Sequence, residues 1–504
     1  MRVISPFFIL ISIFFGSPAI SQQISFSEIR NEENKDMSFE VLGKIGANYV
    51  VYKNIRWKHV LTFYDKDMRI VKNHRIDFVP DRTYNIDIVA TAMDFLMVYQ
   101  YQKNNIVYCR AVKLDSLGEK IGEPVTIDTT RLAILSENKI YNMVSSQDKK
   151  HVMVYKMYKS HGQLNVVTKT FDDMLSLTDS TRDLYDYNER KDIYSDLSLA
   201  NDGGIFYSRS IKKSARDEIA ELMVVAKIPG QPSFQIPVNL QDRYLIDVVG
   251  KYDNLNNQYL LNSLYKVETN GRIKGLFSAV VNAQDPQRML TAFNEFPDSL
   301  RGDIASSGQA RFAFDDLNLE DAVIKKDGGF VLFAEDQSTQ TRDGNPYYNR
   351  YYSPYSLYNN YYLYNPGYYN YYRPYGYGSP YYQTSVRYYY NEILILSVDK
   401  DLKAQWNSVI PKQQVDDDTD NYLSFSTMNT GGEIHFIYVQ KDNNRQVLSN
   451  DGLFPGGQMK RYPTLKSRER GYEFMPRFAK QVEYNVMIIP CMYRNNIAFA
   501  RVVF

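Results

Sequence analysis

KKDGGFVLFAE, residues 325–335, contains both of the signals from which this chain is built. Its Asp-Gly-Gly turn permits the positive φ that a tight hairpin requires. The run that follows, FVLFAE, is apolar at odd and even positions alike, as is EILILSV at 392–398. A strand with one wet face would alternate, whereas these two call for protein on both sides. Related turns stand in ANDGGIFYS (200–208) and NTGGEIHFIY (429–438). A second turn recurs in FYDKDMRIV (63–71), KLDSLGEKI (113–121), TFDDMLSLT (170–178) and SVDKDLKAQW (397–406). In each, an apolar run ends at Asp, whose carboxylate can bond backbone N–H groups two residues on and hold the turn.

Working outward, most of the chain after residue 37 is short apolar runs separated by Asp, Asn, Gly and Lys clusters, which is a strand pattern. Helical periodicity is scarce; Ala215–Lys227 and Pro297–Phe312 are the only stretches with room for a turn or two. Units begin near Phe39, Tyr84, Ile140, Ile193, Leu245, Leu317, Tyr422 and Tyr472. Four antiparallel strands repeated at roughly 45–55 residues is the pattern of a propeller blade. The fold class expected is therefore all-β, a β-propeller of seven or eight four-stranded blades. The last unit lies one strand short, and QISFSEI (23–29) is an isolated piece able to supply it. Such pairing would remove an open sheet edge.

The N-terminus, MRVISPFFILISIFFGSPAISQQ, places Arg2 before an apolar run and small residues at Ala19 and Ser21, which suits cleavage after Ser21. About twelve apolar residues are too few to span a bilayer. The expected organisation is a signal peptide over 1–21 and a single propeller domain over 22–504. No second long apolar run is present, so no transmembrane segment is expected in the mature chain. A net charge of +1 gives no global field to attract nucleic acid. Cys109 and Cys491 both sit in strand-like runs and read as two buried thiols, although export permits a disulfide.

A low-complexity, tyrosine-rich insertion covers 344–390, with 20 Tyr between Tyr347 and Tyr390 out of 44 in the chain. It falls between FVLFAE and NEILILSV, two strands of one blade, and so forms a long hairpin loop on one face of the ring. Pro354, Pro366, Pro374 and Pro380 prevent continuous helix or sheet. One reading is a loop with no selected partner. The functional reading is a sticky contact surface, because Tyr offers a flat apolar face and a hydroxyl with few torsions to freeze. Candidate partner-binding residues are Tyr347, Tyr348, Arg350, Tyr351, Tyr352, Tyr361, Tyr362, Tyr368, Tyr369, Tyr371, Tyr372, Arg373 and Arg387. Three Arg over this length give little phosphate attraction, so an envelope protein or glycan is favoured over nucleic acid.

Catalytic motifs are absent: no G-x-S-x-G, no H-E-x-x-H, no P-loop and no dinucleotide fingerprint. His59, His74, His151, His161 and His435 are scattered without metal-pair spacing. The run Asp416, Asp417, Asp418, Asp420 lacks the Gly and closing Glu of an EF-hand loop and reads as a solvated acidic loop rather than a calcium site. No catalytic, metal or cofactor residues are assigned and no cofactor is expected. Carboxylate pairs for glycan hydrolysis can be assembled from distant blades, which keeps a propeller hydrolase as an alternative. An outer-membrane β-barrel ending at Phe504 is a second alternative, against which stand the strands apolar on both faces.

The segment from Leu317 to Gln414 resembles exported propeller-type proteins of Bacteroidetes. KKDGGFVLFAE, the Tyr-rich insert and YYYNEILILSVDKDLKAQWNSVIPKQQ, with Trp406 and IPKQQ (410–414), carry the likeness. That group has no established catalytic residues to carry over. The resemblance implies an exported protein of a Gram-negative bacterium, in the periplasm, associated with the outer membrane or at the cell surface. The function expected is a non-enzymatic binding or scaffold role in the cell envelope.

Overall fold

The computed structural model describes residues 23–81, 83, 85–131, 140–214, 218–269, 271–285, 288–300, 316–341, 371–372, 386–417, 419–442, 445–465 and 471–504. These residues form antiparallel sheets over 38–75, 85–131, 142–186, 192–238, 244–295, 317–417, 425–461 and 472–503. The fourth and fifth touch through one residue pair, Ile219 with Leu245, and are otherwise separate. The eight inner strands begin within three residues of the unit starts read from the sequence, as at Ser38, Asn85 and Leu317.

Packing shows how the sheets are arranged. Eight hydrophobic clusters form the core, and each draws its residues from two consecutive sheets. The last joins Phe39, Val41 and Tyr64 of the first sheet to Ile488 and Phe499 of the eighth, closing the circle. The fold is an eight-bladed β-propeller. FVLFAE shows why its strands are apolar on both faces. Phe330, Leu332 and Ala334 pack toward blade five, and Val331 and Phe333 pack toward blade seven. Period-two alternation thus serves two cores rather than a core and solvent. No sheet among the described residues closes on itself, which excludes the barrel.

Blade eight obtains its outer strand from the other end of the chain. Gln23–Phe26 pairs with Asn496–Val503, setting Gln23 against Val503 and Phe26 against Ala500. Phe26 stacks on Tyr472 at 4.1 Å between ring centroids. Glu33 follows, and its carboxylate lies 2.7 Å from the Lys53 ammonium of blade one with both side chains nearly inaccessible.

The Asp turns are alike at atomic detail. The Oδ1 atoms of Asp65, Asp115, Asp172 and Asp399 each accept two backbone N–H bonds, from i+2 at 2.9 Å and i+4 at 2.8 Å. The residue at i+3 is left-handed in every case: Met68, Gly118, Leu175 and Leu402. Met68 and Leu402 are buried plugs in the interface with the preceding blade. At Gly118 the opposite solution is used, since a Cβ there would lie 3.0 Å from Leu61 of blade one. These turns join third to fourth strands, and the Asp-Gly and Gly-Gly turns join first to second. Up-and-down topology places both sets on one face of the ring. The Tyr-rich insertion joins second to third strands and leaves from the opposite face.

One expectation changes. Ile219–Lys227 is a strand of blade four and not a helical turn, because the β-branched Val224 and Val225 face two different cores. Residues 298–300 are helical and 301–312 lie outside the described residues. Cys109 and Cys491 are buried and free, one between blades two and three and the other between seven and eight. No helix among the described residues is long and apolar enough to cross a membrane.

Candidate functional site

The apolar pattern of blade six ends where its hairpin leaves the ring. After Ala334 the second strand reads Glu335-Asp336-Gln337, and the facing third strand reads Tyr390-Asn391-Glu392. The register shifts between Glu335 and Gln337, so that Asp336 stands opposite two residues, Asn391 and Glu392. A bulge of this kind re-aims side chains at a sheet rim. Here it turns Asp336, Asn391 and Glu392 toward blade seven, and a cleft of about 490 Å³ opens between the blades. Lys412, Gln413, Gln414 and Asp416 from the outer strand and crossover line it, with Tyr422, Gln440, Lys441 and Gln446 from the blade seven side. That volume lies within the range of small-ligand sites.

The floor is a knit polar network. Lys412 Nζ sits 2.6 Å from Glu335 Oε1, and both side chains are fully buried. The ammonium also donates to Gln414 Oε1 at 2.8 Å and to the Tyr390 carbonyl at 3.2 Å. Glu335 Oε2 accepts from Ser424 Oγ at 2.7 Å and from Gln337 Nε2 at 2.9 Å. Gln414 donates to the Val439 carbonyl at 2.9 Å, tying blade six to blade seven. Burial pushes the Lys412 ammonium down from its ordinary pKa, with the Glu335 carboxylate pulling the other way. Gln337 also donates to Glu320, whose carboxyl is raised by burial and then by the Glu335 charge. Every member of this floor is occupied with another, so its role is to hold the crossover in place.

The walls differ. Asp336 is pushed up to about 7, first by burial and then by the charges of Asp316 and Glu392. Asp416 is pushed up to about 6 by burial, which Lys441 partly offsets. Glu392 is only 7% exposed and lines the cleft, and among the described residues it has neither a hydrogen bond nor an ion pair. The cleft therefore offers three carboxyls, two of them raised by burial, and several amides.

The acidic run read as one solvated loop is divided among three tasks. Asp416 lines the cleft. Asp417 forms an exposed two-pronged pair with Arg387, at 2.7 and 3.1 Å. Asp420 is enclosed, accepting from Arg477 of blade eight and, at 3.0 Å, from the Tyr390 hydroxyl. Burial works to raise Asp420, yet Arg477 beside it holds the carboxyl below its usual range. Asp418 lies outside the described residues, among which no group of three or more His, Cys, Asp and Glu is placed to hold a metal ion.

Of the candidate partner-binding residues, Tyr347, Tyr348, Arg350, Tyr351, Tyr352, Tyr361, Tyr362, Tyr368, Tyr369 and Arg373 lie outside the described residues. The backbones of Tyr371 and Tyr372 pair with Glu40 and Phe39 on the inner strand of blade one. Arg387 is the one candidate with a described side chain, and it is held by Asp417. Asp336 and Glu392 were missed in the sequence, where the only sign of them is the break in two apolar runs.

No family model matches the chain and no curated protein matches it. Among solved structures it is similar to dipeptidyl peptidase 4 of Porphyromonas gingivalis at 11% identity and a TM-score of 0.43, covering 92% of this chain and 56% of that one. Prolyl oligopeptidase B of Galerina marginata gives 8% identity and a TM-score of 0.40 over the same shares. The β-propeller domain of the Trilobed protease from Pyrococcus furiosus gives 9% and 0.36, covering 84% of this chain and 96% of that one. The chain thus spans little more than half the length of the two peptidases. The propeller assignment rests on the eight sheets and their shared cores.

Proposed function

We propose that this chain is an exported, non-enzymatic binding protein of the cell envelope, and that the cleft and the Tyr-rich hairpin make one binding face for a protein or glycan. One observation carries the reading. The strands that wall the cleft at Asp336 and Glu392 remain paired outward to Thr341 and Val386, the two ends of the Tyr-rich segment, so the cleft and the segment share one hairpin. Aromatic, rotamer-poor residues carried on the same hairpin as a polar recess suit protein and sugar contact. Replacing residues 344–384 by a short turn keeps the blade six hairpin and removes the segment. Captures from the native envelope by the tagged mature protein are expected to lose their partner in this variant. Identical captures would end the proposal.

The hydrolase reading keeps one observation in its favour: Asp336 and Asp416 are raised toward neutrality by burial, and a raised carboxyl is what general acid catalysis on glycans uses. It expects release of reducing sugar from envelope glycans by the wild type and not by Asp336→Asn. Equal silence of both proteins on such glycans rejects it.

A further inference from the structure

We propose that the cleft between blades six and seven receives the cationic head of a partner protein's arginine or lysine side chain, with Glu392 as its counter-ion. The inference rests on the binding reading above and names the chemistry that the cleft recognises.

Glu392 is the starting point. A carboxylate so deeply buried loses most of its hydration, and burying a charge is unfavourable unless a donor or cation replaces the water. Lys412 is near enough for the two charges to interact. Its ammonium, however, is already bonded to Glu335, Gln414 and the Tyr390 carbonyl. Asn391 directs its amide toward Asp336 at 3.5 Å instead. The Glu392 carboxylate is thus left without a donor in the wall of the cavity.

Negative charge predominates around the recess. Asp336, Glu392 and Asp416 line it against Lys412 and Lys441, and Lys412 is matched by Glu335 beneath it. Lys441 is exposed at the mouth. The interior therefore attracts a cation and repels phosphate, sulfate and carboxylate groups. The amides of Gln413, Gln414, Gln440 and Gln446 add neutral hydrogen-bonding groups along the walls.

Depth selects among cations. The Glu392 side chain to be reached is more than nine-tenths buried in the cleft wall, and a charge on a slender flexible stem reaches it while its backbone stays outside. Arginine and lysine carry their charge in this way, with alkyl stems that tolerate apolar surroundings. The amine of an amino sugar is fixed to a ring several ångströms wide and is disfavoured by the same geometry.

Isothermal titration of the mature chain with acetyl-Gly-Gly-Arg-Gly-Gly-amide, its lysine and citrulline counterparts and a glucosamine tetramer tests this. The arginine or lysine peptide is expected to bind at least tenfold more tightly than the citrulline peptide. Glu392→Gln should weaken it at least tenfold without lowering the melting temperature, because no internal bond is lost. Asp242→Asn, at an exposed turn remote from the cleft, should change nothing. Equal binding of citrulline, indifference to Glu392→Gln, preference for the glucosamine tetramer, or no binding at millimolar peptide overturns the proposal. If it fails while envelope capture still depends on residues 344–384, the cation site falls and the binding reading survives.

Discussion

Asp336 illustrates how one residue ties the candidate site to stability. Its folded pKa of about 7 lies above that of an ordinary Asp, so the folded state holds the proton more tightly than the unfolded chain does. This contribution is complete below about pH 4 and is lost as pH rises through 7. Asp336→Asn should accordingly leave the melting temperature unchanged at pH 4. At pH 8 it should raise stability by about 1–2 kcal/mol, a figure reduced because the carboxyl is partly solvated. Thermal melts at the two pH values check the sign. Glu335 and Lys412 form an ion pair in which neither partner is exposed. Glu335→Ala strands a buried ammonium and is expected to destabilise by about 3–5 kcal/mol, whereas replacing the pair by Gln and Met should recover much of the loss. Urea unfolding of the two single variants and the double variant measures this coupling.

At the scale of elements, the Asp turns were legible because everything they need lies within five residues. One carboxylate satisfies two N–H groups, and the left-handed residue is named by its place in the motif. Sequence spacing did not show that this residue also plugs the neighbouring blade. Asp399→Ala should cost about 1–2 kcal/mol for the hydrogen bonds. Leu402→Ala should cost more, about 2–4 kcal/mol, because it empties a site 1% exposed between blades five and six. Denaturation midpoints of the two variants rank these effects. The supposed helical turn near residue 219 fails for the same reason that the turns succeed. Its strand character comes from two cores supplied by other blades, which no local window contains.

For the whole molecule, the decisive contact is between the two ends of the described chain. Excising Gln23–Phe26 leaves Asn496–Val503 as an unpaired outer edge and removes Phe26 from Tyr472. The expected result is a melting temperature lower by several degrees and concentration-dependent self-association through the freed edge. Calorimetry and light scattering would detect both. An unchanged melting temperature would show that the ring closes without this strand.

The sequence by itself determined most of the strands, their two-sided faces, both turn families, the approximate unit starts and the strand that closes the ring. All of these follow from backbone bonding and alternation over about ten residues, or from a repeat countable along the chain. Tertiary structure alone decided which polar residues meet. Glu335, Asp336, Glu392, Lys412 and Asp416 come from three strands and a crossover, and Asp420 finds Arg477 two blades away. Burial and the charges of such neighbours set how Asp336, Asp416 and Asp420 titrate and which carboxyl remains unpaired. Those neighbours exist only once the blades stack. The repeat could therefore be read in advance, and the cleft required the closed ring.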